Sequence, residues 1–344
     1  MTRTPLPLAS KLQDAAFTVA TGIQAGLTRQ AVRHHRFTRP HHGVRTLQTA
    51  VPHNELDRKE AERLARDYAP LLRPGEAFSH TTALLLLRVP IHTHPELHLT
   101  VPHHVPHARG KNVQGHRTRL AFRTIPGRSG LPCVPHVLAL TQSARMLSFR
   151  ELVVAIDHLI RIRGRRGSRW SLSTPDALHK YFHDHAVPGV DRLRAALEIA
   201  RIGADSRMET LMHFELARMG VDILEMQGEI FTDSGQWIGR FDQVDRAAKR
   251  ISEYDGEQHR TDRKQYLHDD KRLDAARDAG WKVRRFHKED FQADALEATR
   301  AELCEFLELT PKPLPRHLAP YFAEPLHLPR APRDTRPSVC ADRS

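Results

Sequence analysis

The chain has 344 residues, 40% hydrophobic and 27% charged, and its 53 Lys/Arg against 41 Asp/Glu give a formal net charge of +12. That length exceeds one domain of ~100–200 residues, so two or three are expected, and the composition excludes general disorder. The longest apolar run, Ala83 to Leu87, falls far short of the ~18 residues of a membrane span; no secretory pattern opens the chain, and Cys133, Cys304 and Cys340 form neither a disulfide framework nor a Cys-x-x-Cys metal site. A cytoplasmic protein without membrane association is expected.

The charge is unevenly distributed. Residues 1–204 carry 30 Lys/Arg against 14 Asp/Glu, residues 205–310 carry 17 against 24, and residues 311–344 carry 6 against 3. A basic half that can grip phosphate therefore adjoins an acidic unit, as a metal-dependent enzyme acting on nucleic acid requires; two ordinary domains of unequal charge would give the same arithmetic.

Residues 1–50 read as a small winged helix. Thr18 can cap a helix running to Ala25, Gly26 can end it, and Thr28 can cap a second helix through His34. Arg36 to Arg39 and Val44 to Thr46 would then form a hairpin around Pro40-His41-His42-Gly43. Arg29, Arg33, Arg36, Arg39 and Arg45 would lie on the second helix and wing, where such modules meet DNA, although helical hairpins also serve as plain structural units.

Residues 51–204 form a mixed α/β stretch. Glu55 to Tyr68 reads as a helix, Leu97 to Val101 as a half-buried strand, and Phe149 to Arg161 as an amphipathic helix. Of 24 histidines, 14 lie between His34 and His136, His103, His104, His107 and His116 among them. They fall in Pro- and Gly-rich sequence without cysteines or paired carboxylates, so they are expected to be polar loop residues rather than zinc ligands. Five arginines within nine residues, Arg161, Arg163, Arg165, Arg166 and Arg169, suit either a phosphate backbone or a solvated interdomain loop.

Residues 205–310 hold the chemistry-bearing pattern. A helix from Ser206 to Met219 precedes strands Leu224 to Phe231 and Trp237 to Ala247, joined by a turn at Asp233-Ser234-Gly235. A third strand, Arg250 to Tyr254, a helix from Asp262 to Ala279, a fourth strand, Lys282 to His287, and a helix from Phe291 to Leu307 follow. Residues 311–344, rich in proline and arginine, read mostly as a flexible tail.

Asp242 and Glu253 stand inside strands, where unpartnered carboxylates are costly. Side by side at one edge of a hairpin, they would hold Mg2+ or Mn2+ through oxygen ligands and activate water for phosphodiester hydrolysis. Ser206-x-x-Glu209 fits either a capping box or an additional metal ligand. Asp269 and Arg272 fit an i, i+3 ion pair, and Asp245 a turn contact with Arg246 or Lys249.

Trp237-Ile238-Gly239-Arg240-Phe241-Asp242, Glu253-Tyr254-Asp255-Gly256, His259, Asp269-x-x-Arg272 and Gly280-Trp281-Lys282-Val283-Arg284-Arg285 together resemble the restriction-endonuclease-like PD-(D/E)XK superfamily, within it the branch similar to very-short-patch-repair (Vsr) endonucleases. The resemblance spans about residues 205–290 and implies a central sheet flanked by helices. It implies Asp242 as the central metal ligand, Glu253 as its partner and Glu209 as the acid from the preceding helix. Phe241 replaces the proline of the motif, and Asp255 replaces its lysine, which would have supplied positive charge. The resemblance implies that Asp255 joins the metal shell and that His259 assists as base; a surface histidine after a turn would look the same.

The N-terminal part, with Phe78-Ser79-His80-Thr81-Thr82-Ala83 and Ala155-Ile156-Asp157, is similar to AbiEi-like antitoxins, which implies DNA binding and transcriptional control. The expectation is a DNA-associated, divalent-metal-dependent endonuclease with no small-molecule cofactor, compatible with a homo-oligomer. The alternative is an AbiEi-like regulator with an inactive nuclease-like domain.

Overall fold

The computed structural model describes residues 8–47, 58–94, 96–110, 112–164, 168–221, 224–255, 263–326 and 328, excepting the side chains of residues 11 and 263–268. Helices and strands are mixed along the chain, so the class is α/β. Among the described residues no helix is long and apolar enough to cross a membrane.

The N-terminal unit departs from the expected winged helix. Strand β1 (Phe17–Thr18) leads into helix α1 (Val19–Gln24), capped by Thr18, which accepts from Thr21 N at 3.0 Å. Thr28 also caps, accepting from Ala31 N at 3.0 Å, but only a 3-10 turn, Ala31–Arg33, follows it. So short a segment cannot offset the cost of nucleating an α-helix; the chain turns instead around Leu12, Phe17, Leu27, Val32 and Phe37. Strand β2 (Val44–Arg45) pairs with β1 rather than with Arg36 to Arg39, of which Thr38 alone makes an isolated bridge, to Thr46. Gly22 is required here, since a Cβ would stand 2.8 Å from the Phe17 ring.

The middle region opens with α2 (Arg58–Tyr68), followed by β3 (Ala77–Phe78), α3 (His80–Leu86), β4 (Leu97–Pro102), β5 (Arg109–Gly110), β6 (Val113–Thr118), β7 (Ile125–Pro126) and β8 (Pro132–Cys133). These strands make a mixed sheet in the order β5-β6-β4-β3-β8-β7. Strand β4 is buried along Leu97 to Val101, not on one face only, because His98 stacks on His80 and His116 while Thr100 accepts from Gln142. His98 lies on the strand expected at Leu97 to Val101, whereas His116 lies on a strand and His80 opens a helix, contrary to the loop expectation for the other histidines.

Helices α4 (His136–Ser143), α5 (Phe149–Ile160), α6 (Pro175–Asp184) and α7 (Val190–Ile199) follow. Helix α5 is buried on almost every side, where one apolar stripe was expected, because α7 and the next helix cover it from different directions.

That next helix is α8 (Arg207–Arg218), followed by β9 (Glu225–Phe231), β10 (Trp237–Asp245), β11 (Arg250–Tyr254), α9 (Arg263–Asp278), β12 (Lys282–Phe286), α10 (Leu296–Leu307) and α11 (Ala319–Phe322). The four strands form one sheet in the order β12-β11-β10-β9. Its first three strands are antiparallel hairpins, and β12 adds parallel to β11 after the α9 crossover.

Two expected boundaries shift. Helices α8, α10 and α11 share one apolar core with α5 and α7, whereas α9 and the face of the second sheet make a separate smaller core around Phe241, Ile251 and Leu273. Residue 204 thus does not divide two cores. Nor are residues 311–326 a flexible tail: Phe322 is buried, Tyr321 stacks on Phe149, and Glu324 accepts from Phe149 N and from Arg192. Their apolar side chains complete the core that proline-rich sequence concealed.

Buried polar contacts join α8 to α5. Arg207 donates twice to Glu151 at 2.5 Å, and Asp157 accepts from Thr210 Oγ1 at 2.8 Å, from Arg201 N at 2.8 Å and lies 2.6 Å from His213 Nε2. Burial opposes ionisation of Glu151, but the Arg207 guanidinium and the His92 N–H, which donates at 2.9 Å, together hold the carboxyl below its ordinary value. Glu151→Ala leaves Arg207 without its counter-charge and is expected to lower stability by about 3–5 kcal/mol. Urea denaturation checks this; a loss under about 1 kcal/mol would assign the joint to apolar packing alone.

Candidate functional site

The antiparallel register that sets Gln243 opposite Ser252 and Val244 opposite Ile251 continues to bring Asp242 alongside Glu253. Tyr254 N donates to Asp242 Oδ2 at 2.8 Å, fixing that carboxylate at the end of the ladder. Glu209 arrives from the first turn of α8. Its backbone N–H is capped by Ser206 Oγ at 3.2 Å, while its carboxylate accepts from Asp205 N at 2.8 Å and faces the strands. The helix start is therefore capped while the carboxylate still faces the strands.

Gln227 on β9 joins the acids. Its Nε2 donates to Glu209 Oε2 at 2.7 Å and to Asp242 Oδ1 at 3.1 Å. Its backbone φ is 54°, a left-handed conformation that costs on the order of 1–3 kcal/mol for a side-chain-bearing residue. Gln227 carries no motif of its own; a strand glutamine followed by Gly228 is the signal that the sequence offers for it.

Arg272 also belongs here. Although Asp269 is at 3.9 Å, the guanidinium is closer to Glu253, at 2.9 Å, and lies 4.5 Å over the Phe241 ring. It also donates to the Arg240 carbonyl. Gly239 permits this crossing, because a Cβ there would meet the Arg272 stem at 2.7 Å. The expected surface ion pair is therefore a minor part of what Arg272 does.

The remaining expected residues divide. Asp255 lies 3.0 Å from Arg285 Nη2 and 3.9 Å from His287 Nδ1. Asp245 Oδ1 accepts from Ala248 N at 3.1 Å, an Asx-type turn, while Arg246 pairs with Glu225 in place of Asp245. His259 lies outside the described residues, as do Arg165 and Arg166. Arg163 donates to the carbonyls of His158 and Arg161 and lies over Trp170, so its donors close a loop. Arg45 likewise donates to the Val32 and Val44 carbonyls, and Arg36 lies over Phe37, whereas Arg29, Arg33 and Arg39 are exposed.

Glu209, Asp242, Glu253 and Asp255 line a cleft of about 1230 Å³ between the second sheet and the middle region. Its rim carries Arg58, Arg88 and Arg161 from the middle region and Arg240, Arg285 and Lys288 from the sheet side. Asp205 spans it, 2.8 Å from Arg161 and 3.0 Å from Arg240. Arg58 and Arg88 carried no sequence motif; only the fold brings them to the acids.

Burial, and after it the crowding of carboxylates, governs the electrostatics. Burial, then the Asp242 charge, lifts Glu253 from 4.5 to about 9 against the pull of Arg272. Burial and Asp242 lift Glu209 to about 7. Near neutrality these groups retain protons that a divalent cation would displace.

Comparison with known proteins finds no matching family model, no matching curated protein and no matching solved structure.

The raised acids set a pH dependence. Above about 4.5 the unfolded chain has ionised Glu253 while the folded chain keeps its proton up to about 9, so the folded state binds more protons and its stability falls as pH rises through this window. Thermal midpoints with chelator present are expected to fall from pH 6 to pH 9, and Glu253→Gln to flatten the slope. An unchanged slope in that variant would remove Glu253 as its source.

Proposed function

We propose that the protein is a divalent-metal-dependent endonuclease that hydrolyses phosphodiester bonds of DNA, with a restriction-endonuclease-like arrangement in its C-terminal sheet. The observation that carries this reading is the convergence of Asp242, Glu253 and Glu209 in a cleft whose rim is arginine-rich. Three clustered carboxylates without a hard cation oppose one another, whereas oxygen-only donors suit Mg2+ or Mn2+. Asp242, Glu253 and Glu209 would hold the ion, which supplies positive charge to the phosphate oxygens and lowers the pKa of water.

The chain's own groups account for the rest. Arg240, Arg285 and Lys288 on one side and Arg58, Arg88 and Arg161 on the other offer phosphate contacts along the cleft. Arg272 sets the orientation of Glu253 and provides a fixed positive charge beside it. Asp255, where the resemblance places a lysine, is held by Arg285. This replacement favours the second reading, a DNA-binding regulator with an inactive nuclease-like site.

Incubating supercoiled plasmid with the full chain and Mn2+ or Mg2+ separates the readings. Cleavage is expected, with Asp242→Ala reducing it to background and Arg272→Ala lowering the rate about 10–100-fold, as for groups that orient metal ligands. Glu209→Gln should lose activity while costing at most ~1 kcal/mol in stability. DNA binding without cleavage under either metal would favour the regulator.

The rim makes a second prediction. If Arg58, Arg88 and Arg161 each neutralise one phosphate, replacing all three with alanine should reduce the slope of log K against log salt by roughly 0.9 per contact on duplex DNA. Fluorescence anisotropy across a salt series measures this, and an unchanged slope would move the binding surface elsewhere, with exposed Arg29, Arg33 and Arg39 the next candidates.

A further inference from the structure

His80, His98 and His116 meet in the middle region, remote in sequence from the carboxylate cleft. His98 and His116 occupy neighbouring parallel strands, with Thr100 opposite His116 in register, so the two imidazoles stand two residues apart on one face of the sheet. His80 is the first residue of α3 and closes over that face, its ring centroid 3.8 Å from His116 and 5.4 Å from His98. His80 and His98 are buried and His116 half-buried.

The three rings converge by their polar atoms. One nitrogen from each lies within 4.8 Å of the other two. Tetrahedral coordination with Zn–N distances of about 2.0–2.1 Å separates ligand nitrogens by roughly 3.3 Å. His98 Nδ1 and His116 Nε2 share a hydrogen bond at 3.0 Å, which a bound ion would replace, and the stacked rings would turn to aim all three nitrogens at it. Two further observations concern how His80 is held. His80 holds a left-handed backbone, φ 51°, a conformation uncommon outside glycine although histidine enters it more readily than most residues. Its Nδ1 is 2.9 Å from Ser79 Oγ, a neighbour that orients the ring in the way outer-shell groups orient metal-bound imidazoles.

From this geometry we propose that His80, His98 and His116 bind one zinc-class divalent ion, leaving a fourth position towards the solvent side of His116 for water or a small anion. Imidazole donors select zinc and its first-row neighbours over Mg2+, in contrast to the oxygen donors of the cleft. The ion would tie α3 to β4 and β6, joining the helix start to two strands through three coordination bonds. The assignment is independent of the nuclease reading, since no group in the cleft takes part.

The test uses the full chain, stripped with chelator and held in excess Mg2+ so that oxygen sites are occupied. Isothermal titration with Zn2+ is expected to give one ion per chain, with a rise in thermal midpoint. Stripped protein given Co2+ should develop the intense visible bands of a low-coordinate nitrogen site, and Zn2+ should bleach them. Asp242→Ala should retain both responses, while His116→Asn, at the half-buried member, and His98→Asn should each lose them. Failure of wild-type protein to bind zinc, or binding that survives in both histidine variants, overturns the proposal. Should a variant fail to fold, the wild-type stoichiometry and cobalt spectrum still decide it.

Discussion

The contact between α5 and α8 sets the geometry of everything around the cleft. Arg207, Thr210 and His213 follow one another at helical spacing and all reach acids on α5, so α8 has one rotation in which its polar side is satisfied. That rotation directs Glu209 away from α5 and towards Asp242. It also brings Arg161, at the end of α5, within reach of Asp205 just before α8. A buried ionic joint of this kind contributes orientation more surely than net stability, because desolvation offsets much of the attraction.

The two sides of the cleft are electrostatically unlike, and the contrast explains several local oddities. Carboxylates are concentrated on β10, β11 and the start of α8, whereas Arg58 and Arg88 project from the middle region. Gln227 is placed between two acids in a conformation that glutamine adopts at a cost, and Gly239 lacks a side chain so that Arg272 can cross β10. Both residues relieve repulsion among the acids, one by amide donation and the other by admitting a guanidinium.

Much of the second sheet was legible because its signals are local. Acids in mid-strand, a Gly-containing turn and a helix between parallel strands each leave a mark within a dozen residues, and the pairing of Asp242 with Glu253 follows from hairpin register. Arg272 was read as a surface ion pair because Asp269 stands one turn away; its approach to Glu253 depends on how α9 lies on the sheet, which no spacing encodes. The histidine trio was missed for a similar reason. Its members are 18 residues apart in each interval and belong to three elements; the strand of His98 is legible at Leu97 to Val101, but that of His116 is too polar to stand out from loop sequence, and no spacing brings His80 over both. In the N-terminal unit, capping at Thr28 was legible but the failure of the helix behind it was not, since that depends on where Val32 and Phe37 find apolar neighbours.

The short helix α11 has a consequence for how the chain reaches its native state. Phe149, near the middle of the sequence, is covered by Tyr321 and Phe322, and its backbone N–H is satisfied by Glu324. During synthesis the helices of the middle region therefore emerge with an apolar surface and an open helix start that only residues made much later can cover. The nascent protein must carry that exposed patch until residues 321–324 have been made, a period in which association with another chain or with a chaperone competes with folding. Late closure of this patch makes the order of synthesis, as well as the final contacts, part of what the sequence has to accommodate.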